Sequence, residues 1–199
     1  MALLLDVNAP MVWTVPDVLT RDECAALVAR IEAAGCVPAP ITTGAGFVMR
    51  PDIRNNTRVV IDDVALAADL FRRVAAQVPK SVAGWDVVGA NERLRCYRYE
   101  RGQRFAPHYD GAFVRNAGEM SRVTFMLYLN DDFAGGTTDF LELDRRIEPR
   151  TGMALFFQHR LLHEGCAVTE GVKYVLRSDL MYRAPSDVVR SRSAFPHGA

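Results

Sequence analysis

The chain has 199 residues, of which 49% are hydrophobic and 24% are charged. A chain of this size and composition can bury a substantial core, so we expect one globular domain over 1–199. Lys and Arg together number 24, and Asp and Glu together also number 24. This balance gives no field that would attract nucleic acid or an anionic membrane, so we expect neither as a partner.

The four cysteines, Cys24, Cys36, Cys96 and Cys166, are far apart and form no C-x-x-C pair. We expect them to be reduced apolar fillers of an intracellular protein. The chain starts without a basic segment, and no apolar run approaches the roughly 20 residues that a membrane span needs. The sequence therefore predicts a cytoplasmic protein without a signal peptide, and it leaves the oligomeric state open.

The part over 1–85 predicts two helices that support the rest of the chain. Thr20 and Glu23 have the spacing of a capping box and predict a helix over 21–34. A second helix is predicted over 64–78, where apolar residues recur at helical spacing.

From about residue 86 the pattern changes to short β-rich runs between turn signals. Strands are predicted over 92–99, 104–110, 121–129, 137–143, 146–149, 153–158, 165–168 and 172–182. Two helices followed by about eight strands predict a mainly β fold with helices (α+β). In this fold a closed β core over 86–183 has both helices packed on one sheet. A polar tail is predicted over 184–199.

Three of these strands alternate between an apolar face and a mixed polar face. The polar faces carry Asn91, Arg93, Arg95, Tyr97, Tyr99, Arg122, Thr124, Met126, Tyr128, Lys173, Val175, Arg177 and Asp179. In most antiparallel sheets the polar face meets water. Here two helices need a sheet to cover, which favours the reverse arrangement, with the apolar faces under the helices and the polar faces around a pocket.

His108 and Asp110 form an H-x-D pair. On an extended strand such residues point to the same side, about 6–7 Å apart. An H-x-D pair by itself is more often part of a strand surface, but His163 can supply a third ligand just after the strand predicted over 153–158. Two histidines and one carboxylate can bind Fe(II) and leave positions open for a co-substrate and O₂.

A dicarboxylate co-substrate would also need a cation for the carboxylate that is far from the metal. Lys173 lies on the polar face of the strand predicted over 172–182 and can supply that cation. The hydroxyl of Tyr99, upstream of His108, can share the contact.

Four sequence blocks, in this order, resemble the prolyl 4-hydroxylase-like group of the Fe(II)/2-oxoglutarate-dependent dioxygenases. The blocks are Y-E-R-G-Q-R-F-A-P-H-Y-D at 99–110, Y-L-N-D-D-F-A-G-G-T-T-D-F at 128–140, P-R-T-G-M-A-L-F-F at 149–157 and H-E-G-C-A-V-T-E-G-V-K at 163–173. The resemblance covers about residues 92–182. It is specific, because four blocks in the right order rarely occur by chance.

The resemblance implies a double-stranded β-helix, or jelly roll, with His108, Asp110 and His163 as iron ligands. Lys173 would bind the distal carboxylate of 2-oxoglutarate, and Tyr99 would be hydrogen-bonded to it. The implied reaction hydroxylates an unactivated C–H bond and releases succinate and CO₂, with ascorbate as a candidate requirement for activity. The implied partners are O₂ and a substrate that is a peptidyl residue, with proline as one candidate, or a free amino acid or similar small molecule.

Other polar residues have weaker claims to a role. Thr124 and Arg177 are candidate contacts of 2-oxoglutarate, although an ion pair with Asp179 explains Arg177 equally well. Four residues are candidates for binding an anionic substrate, and solvated or salt-bridged side chains explain them as well: Arg93, Arg95, Arg122 and Asn91. We interpret His159 as a structural residue rather than a ligand.

Two other functions compete with the hydroxylase. Arg177 and Arg183 have the R-x₅-R spacing with which nucleobase demethylases of the same superfamily bind 2-oxoglutarate, but Tyr97 stands where those enzymes have asparagine. A non-catalytic, cupin-like metal-binding module would keep the triad without needing Lys173 and Tyr99.

Predicted loops over 38–56 and 111–120 could close over the mouth of the pocket. Their mixture of aromatic, basic and amide side chains suits a peptide or a polar small molecule, so the sequence does not fix the substrate.

Overall fold

The computed structural model describes residues 5–44 and 46–185, so most of the tail predicted over 184–199 lies outside the described residues. Within these ranges the fold is mostly β, with two α-helices, α1 (Arg21–Ala34) and α2 (Val64–Val74), and a 3-10 turn over Ala75–Gln77. Neither of the two helices is long and apolar enough to cross a membrane.

Eighteen strands, most of them short, make up the β part of the described chain. They are β1 (Val12–Val15), β2 (Val37–Pro38), β3 (Ile41–Thr43), β4 (Gly46–Val48), β5 (Thr57–Asp62), β6 (Ser81–Val82), β7 (Trp85–Ala90), β8 (Arg93–Tyr99), β9 (Phe105–His108), β10 (Val114–Asn116), β11 (Glu119–Tyr128), β12 (Ala134–Gly135), β13 (Thr138–Phe140), β14 (Arg145–Ile147), β15 (Ala154–Gln158), β16 (His163–Gly165), β17 (Val168–Glu170) and β18 (Lys173–Arg183).

Two sheets account for most of these strands. The larger sheet has the order β1-β15-β11-β18-β8-β5-β2, with β10 beside β11, β7 beside β18 and β6 beside β7. The smaller sheet has the order β14-β13-β16-β9, and the pairs β3-β4 and β12-β17 stand apart. Non-consecutive neighbours such as β9 and β16 bring distant parts of the sequence together, which is what positions the site.

Both helices begin where the sequence provides a cap. The Thr20 hydroxyl accepts a hydrogen bond from the Glu23 N–H (3.2 Å), and the Glu23 carboxylate accepts one from the Thr20 N–H (2.8 Å). The Asp63 carboxylate accepts from the Leu66 N–H (3.0 Å) at the start of α2. Helix α2 ends at Val74, earlier than predicted, because the chain tightens into the 3-10 turn there.

The apolar face of the larger sheet packs against the helices in one hydrophobic cluster. The cluster contains Cys24, Ile31, Ala67, Leu70 and Val74 of the helices and Leu94, Cys96, Val123, Phe125, Leu127, Leu176 and Leu180 of the sheet. Each fully buried Leu or Phe side chain of this kind contributes about 1.5–3 kcal/mol to stability. A second cluster, which includes Tyr97, Tyr99, Tyr128, Phe140 and Phe157, joins the opposite face to the smaller sheet. The reverse arrangement of faces predicted from the alternation is therefore observed.

The structure differs from the predicted elements where strands are short and exposed. Residues 37–56, predicted as loop, contain β2 and the hairpin of β3 and β4, and residues 111–120 contain β10. Strands β6 and β7 were also not predicted. Short strands with little burial show no apolar alternation, so the periodicity that reveals longer strands is missing from them.

Candidate active site

The inward faces of β8, β9, β16 and β18 surround one cavity between the two sheets. It is lined by Tyr97, Tyr99, Phe105, His108, Asp110, Met126, Thr138, His163, Gly165, Lys173, Val175 and Arg177. The predicted metal ligands and the predicted 2-oxoglutarate cation therefore share one cavity.

The three predicted metal ligands converge on one point. Strands β9 and β16 pair so that His108 lies opposite His163, and Asp110 follows directly after β9. The donor atoms of the three side chains all lie within 4.8 Å of one another. Asp110 Oδ1 is 3.7 Å from Nε2 of His108, and Asp110 Oδ2 is 3.8 Å from Nε2 of His163. All three side chains can therefore reach a single ion.

Backbone carbonyl groups determine which nitrogen of each imidazole faces the metal position. Nδ1 lies 2.8 Å from the Ala106 carbonyl oxygen in His108 and 2.9 Å from the Leu161 carbonyl oxygen in His163. Because a carbonyl only accepts, each Nδ1 carries the proton and each Nε2 keeps its lone pair. Burial, and then the neighbouring His163, lower the pKa of His108 to about 3, and burial also lowers the pKa of His163. Both rings are neutral near pH 7, as metal ligation requires.

Asp110 is held through one of its two oxygens. Its Oδ2 accepts a hydrogen bond from the Thr124 hydroxyl (2.6 Å) and lies 3.0 Å from Nη2 of Arg177. Burial alone would raise the pKa of Asp110, but Arg177 and the nearby histidines outweigh it and hold the pKa well below its usual range. The carboxylate is thus ionised, and its Oδ1 is left for a metal. These donors fit Fe(II), which binds two imidazoles and one carboxylate with open positions opposite.

We expect Thr124→Val, which keeps the shape but removes the hydroxyl, to weaken metal binding by about 10–100-fold. The hydroxyl orients Asp110 and also contacts His159 Nδ1 at 3.0 Å. The check is a titration of the purified protein with Fe(II) under nitrogen. The matched control is Thr151→Val, because the Thr151 hydroxyl also bonds to an aspartate, Asp131, but outside the site. Equal affinities of Thr124→Val and the wild type would contradict the proposed role.

Lys173 is a buried cation without an anionic partner. It is 3% exposed, and its Nζ donates to the Gly136 carbonyl oxygen at 2.6 Å. Among the described residues, no carboxylate lies within 4.0 Å of this ammonium group, which lies over the rings of Tyr128 (5.3 Å to the centroid) and Tyr99 (5.5 Å). Burial lowers the pKa of Lys173 to about 8. A buried ammonium group without a counter-charge is costly, so its presence beside the triad fits an anion that binds from outside, such as 2-oxoglutarate.

We expect the affinity for 2-oxoglutarate to fall as the pH rises above about 8, by up to tenfold per pH unit. The free protein loses the Lys173 proton in that range, whereas the complex keeps it to pair with the carboxylate, so binding takes up a proton. Calorimetric titrations under nitrogen from about pH 7 to about pH 10 would measure the fall. In Lys173→Arg the cation stays charged, so this fall should disappear. The same slope in both proteins would refute the assignment.

Thr138 is a cavity residue that the sequence did not single out. Its hydroxyl is 2.7 Å from the Tyr128 hydroxyl, and it lines the same cavity as Lys173. Tyr128 itself was placed on the pocket-facing side by the alternation. The T-T-D-F sequence that contains Thr138 gave no spacing to a known ligand, so only the pairing of β13 with β16 in the smaller sheet reveals Thr138.

The other candidate residues occupy different places. Tyr99 pairs with Lys173 across β8 and β18 and lines the cavity, as does Arg177. Arg177 contacts Asp110 and, at 3.4 Å, also Asp179. Thr124 is not among the residues that line the cavity but supports Asp110. The roles predicted for these residues in 2-oxoglutarate binding stay predictions.

Four residues predicted as substrate contacts do not line the cavity. Arg93 pairs with Asp62 at 3.0 Å on the surface. Arg95 pairs with Asp179 at 3.0 Å. Asn91 is fully buried beside β18, where its N–H donates to the Asp179 carbonyl oxygen.

Arg122 lies outside the cavity because of a β-bulge. The register of β11 against β18 shifts between Ser121 and Val123. A bulge interrupts the alternation of side chains, so Arg122 leaves the face that Thr124 and Met126 share. Its guanidinium instead lies 4.3 Å from the ring centroid of Trp85, within the helix-facing cluster.

Comparisons with known proteins agree with this geometry. The family model of the 2OG-Fe(II) oxygenase superfamily matches residues 94–178. Prolyl 4-hydroxylase 1 of Arabidopsis thaliana is 24% identical over 207 residues, which cover 89% of this chain and 71% of the relative. The chain spans less than half of the length of some other prolyl 4-hydroxylases that it matches.

Solved structures of prolyl hydroxylases share the fold. The 2OG complex of the viral collagen prolyl hydroxylase from Paramecium bursaria Chlorella virus-1 has a TM-score of 0.61 at 19% identity. The matched region covers 89% of this chain and 98% of the viral chain. The Trichoplax adhaerens prolyl hydroxylase, in complex with a hypoxia inducible factor peptide fragment, has a TM-score of 0.66 at 16% identity. The matched region covers 95% of this chain and 90% of the Trichoplax adhaerens chain. The mostly β architecture is consistent with these jelly-roll neighbours.

A mostly β fold that surrounds a His-Asp-His site is the arrangement expected of a non-haem Fe(II) oxygenase. More particularly, the comparisons show similarity to the 2OG-Fe(II) oxygenases of the prolyl 4-hydroxylase-like kind, and the site fits Fe(II) as its metal and 2-oxoglutarate as its co-substrate. The homologues indicate a hydroxylase, and the resemblance inferred from the sequence is confirmed.

Proposed function

We propose that this oxygenase hydroxylates an unactivated C–H bond of a peptidyl residue, with proline as one candidate, or of a free amino acid or similar small molecule. One observation carries the proposal: the unpaired buried ammonium of Lys173 shares a cavity with the triad of His108, Asp110 and His163. The Trichoplax adhaerens neighbour holds a peptide fragment, which supports a peptide substrate here.

Each side chain then has a task in the reaction. Bound Fe(II), together with 2-oxoglutarate and O₂, supplies the oxidising chemistry, and succinate and CO₂ are released. Asp110, His108 and His163 would hold the ion through Oδ1 and the two Nε2 atoms. Lys173 and Tyr99 bind the distal carboxylate of 2-oxoglutarate, and Thr138 adds a hydroxyl beside them.

Further parts of the chain support the cavity in this proposal. The hairpin of β3 and β4 presents exposed apolar side chains, among them Phe47 (73% exposed), and can contact a substrate at the mouth. The residues over 111–120, which include β10, are the other segment proposed to close over the mouth. The two N-terminal helices serve as a support layer behind the larger sheet. Ascorbate would help to keep the iron reduced.

The decisive experiment is to measure succinate formed from 2-oxoglutarate with Fe(II), ascorbate and air, with and without a panel of peptides and amino acids. Slow succinate formation that requires Fe(II), and that a panel member accelerates, would support the proposal and point to the substrate. No succinate in any condition, although metal binds, would favour a cupin-like binding module instead.

The surroundings of Arg183 argue against the nucleobase demethylase alternative. Arg183, the second arginine of the R-x₅-R spacing, has a side chain that is 63% exposed and pairs with Glu119 at 3.2 Å. It does not line the cavity beside Arg177.

A further inference from the structure

Arg54 is a buried cation next to the cavity that no step above uses. Its guanidinium lies between the rings of Tyr97 and Phe105, 4.3 Å from each centroid, and both rings line the cavity. Arg54 is only 4% exposed, and its Nε donates to the Asn56 side-chain oxygen at 2.8 Å. Among the described residues, its Nη2 has no hydrogen-bond partner and no carboxylate lies within 4.0 Å of the guanidinium. A charged donor left unpaired in a buried position calls for a partner that binds from outside.

Three more arginines continue this positive region along the inner face of the larger sheet. The registers place Arg58 of β5 opposite Tyr97 of β8, and Arg95 of β8 opposite Arg177 of β18. Arg58 has no carboxylate within 4.0 Å in the described chain, and Nε of Arg177 is buried without a partner. We call the four side chains of Arg54, Arg58, Arg95 and Arg177 the arginine wall.

The arginine wall carries more positive charge than its neighbours neutralise. Asp179 pairs with both Arg95 and Arg177, so two guanidinium groups share one carboxylate. Asp110 also pairs with Arg177, but its negative charge is needed for the predicted metal. The pKa of the Tyr97 hydroxyl reflects this excess of positive charge. Burial would raise that pKa, but Arg54, Arg177 and Arg95 lower it to about 8. A positive potential in a largely buried place favours an anion that comes from the substrate.

The co-substrate does not account for this excess. Lys173 and Arg177 lie on the same inward row of β18, about 13 Å apart along the strand. The distal carboxylate of 2-oxoglutarate belongs at the Lys173 end, and its other end belongs at the metal. Arg58 lies opposite Tyr97 on the strand beyond β8, so β8 separates it from Lys173 on β18. Arg54 lies beside both Tyr97 and Tyr99 and is therefore the member of this group nearer the Lys173 end.

We propose that the arginine wall binds a carboxylate of the primary substrate beside Tyr97, so that the enzyme hydroxylates a carboxylate-bearing substrate. The proposal rests on the function proposed above. Guanidinium groups suit it because their fork of N–H donors matches the two oxygens of a carboxylate. The carboxylate could belong to a free amino acid or to an acidic side chain of a peptide, and the experiment separates these two sources.

The test is calorimetry under nitrogen on protein loaded with Fe(II) and saturating 2-oxoglutarate. One arm titrates L-amino acids as free acids and as their primary amides. The other arm titrates pentapeptides, capped at both ends, that contain one Glu or, as the matched control, one Gln. In at least one arm we expect the acid to bind about tenfold more tightly than its neutral partner, or better, because hydrogen bonds between charged groups are strong.

Variants connect this preference to the arginine wall. Arg54→Gln and Arg58→Gln should each reduce the acid-over-amide ratio towards one, and Arg93→Gln, on the surface beside Asp62, should keep it. If Arg54→Gln does not fold, as its thermal unfolding would show, the half-buried Arg58 carries the test. Equal binding of acid and amide by the wild type, or a preference that survives in Arg58→Gln, would overturn the proposal. A preference for the acid that disappears when the 2-oxoglutarate concentration is raised would also overturn the proposal, because the acid would then occupy the position of the co-substrate.

Succinate formed without any substrate separates the two proposals. Basal succinate without an acid preference would overturn the carboxylate site and leave the hydroxylase function. An acid preference that depends on Arg58, without succinate under any condition, would support the carboxylate site and overturn the proposed function.

Discussion

Asp110→Ala is expected to abolish 2-oxoglutarate turnover and to weaken Fe(II) binding by more than about 100-fold. Loss of an outer partner of a metal ligand already costs about 10–100-fold, and this change removes the only anionic ligand of the triad. It also leaves the Arg177 guanidinium, 3.0 Å from the lost carboxylate, facing the metal position with Asp179 at 3.4 Å as its remaining counter-charge. Succinate assays and anaerobic Fe(II) titrations would measure the two effects.

The matched control for this change is Asp62→Ala. Asp62 is also paired with an arginine, Arg93, but on the exposed edge of β5, so turnover should be unchanged. Thermal unfolding of both variants would show whether any loss of turnover comes from unfolding. Full activity of a folded Asp110→Ala protein would remove Asp110 from the ligand set.

The triad was accessible from the sequence because its chemistry follows from local geometry. His108 and Asp110 are two residues apart, and a strand brings such residues to one side whatever the rest of the fold does. The third ligand is different: His163 meets His108 only because β16 pairs with β9, although the two strands are far apart in the sequence. The pattern of the four motif blocks, rather than spacing alone, supplied that connection.

The cationic surroundings of the cavity could not be predicted in the same way. Arg54 lies in a stretch predicted as loop, and its position depends on an isolated bridge to Phe105 and on two aromatic rings that enclose it. Arg122 follows the predicted alternation in sequence but leaves the pocket face at a bulge. Neither an isolated bridge nor a bulge has a periodic signal, so side-chain direction at these places depends on tertiary contacts.

Two cations of the cavity, Lys173 and Arg177, were both predicted as anchors of 2-oxoglutarate, and the structure gives them different surroundings. Arg177 has carboxylates on both sides, Asp110 at 3.0 Å and Asp179 at 3.4 Å. Within the described residues, Lys173 has only the Gly136 carbonyl oxygen as a hydrogen-bond acceptor. Since the charge of Arg177 is already compensated, the unpaired Lys173 is the better partner for an incoming dicarboxylate.

This difference makes Lys173→Met, which keeps the length of the side chain, the second decisive change. We expect it to raise the Michaelis constant for 2-oxoglutarate by about 10–100-fold, the size of a lost charge-assisted hydrogen bond, while Fe(II) binding stays intact. The folded protein should not lose stability, because a buried ammonium group without a counter-charge is itself costly.

Arg177→Met should have the opposite profile, because Arg177 holds Oδ2 of Asp110: weaker Fe(II) binding with a smaller effect on 2-oxoglutarate. Anaerobic Fe(II) titrations and the dependence of succinate formation on 2-oxoglutarate concentration, measured on both variants, separate the two residues. If Arg177→Met raises the 2-oxoglutarate requirement and Lys173→Met does not, Arg177 is the anchor. The unpaired charge of Lys173 would then need another anion.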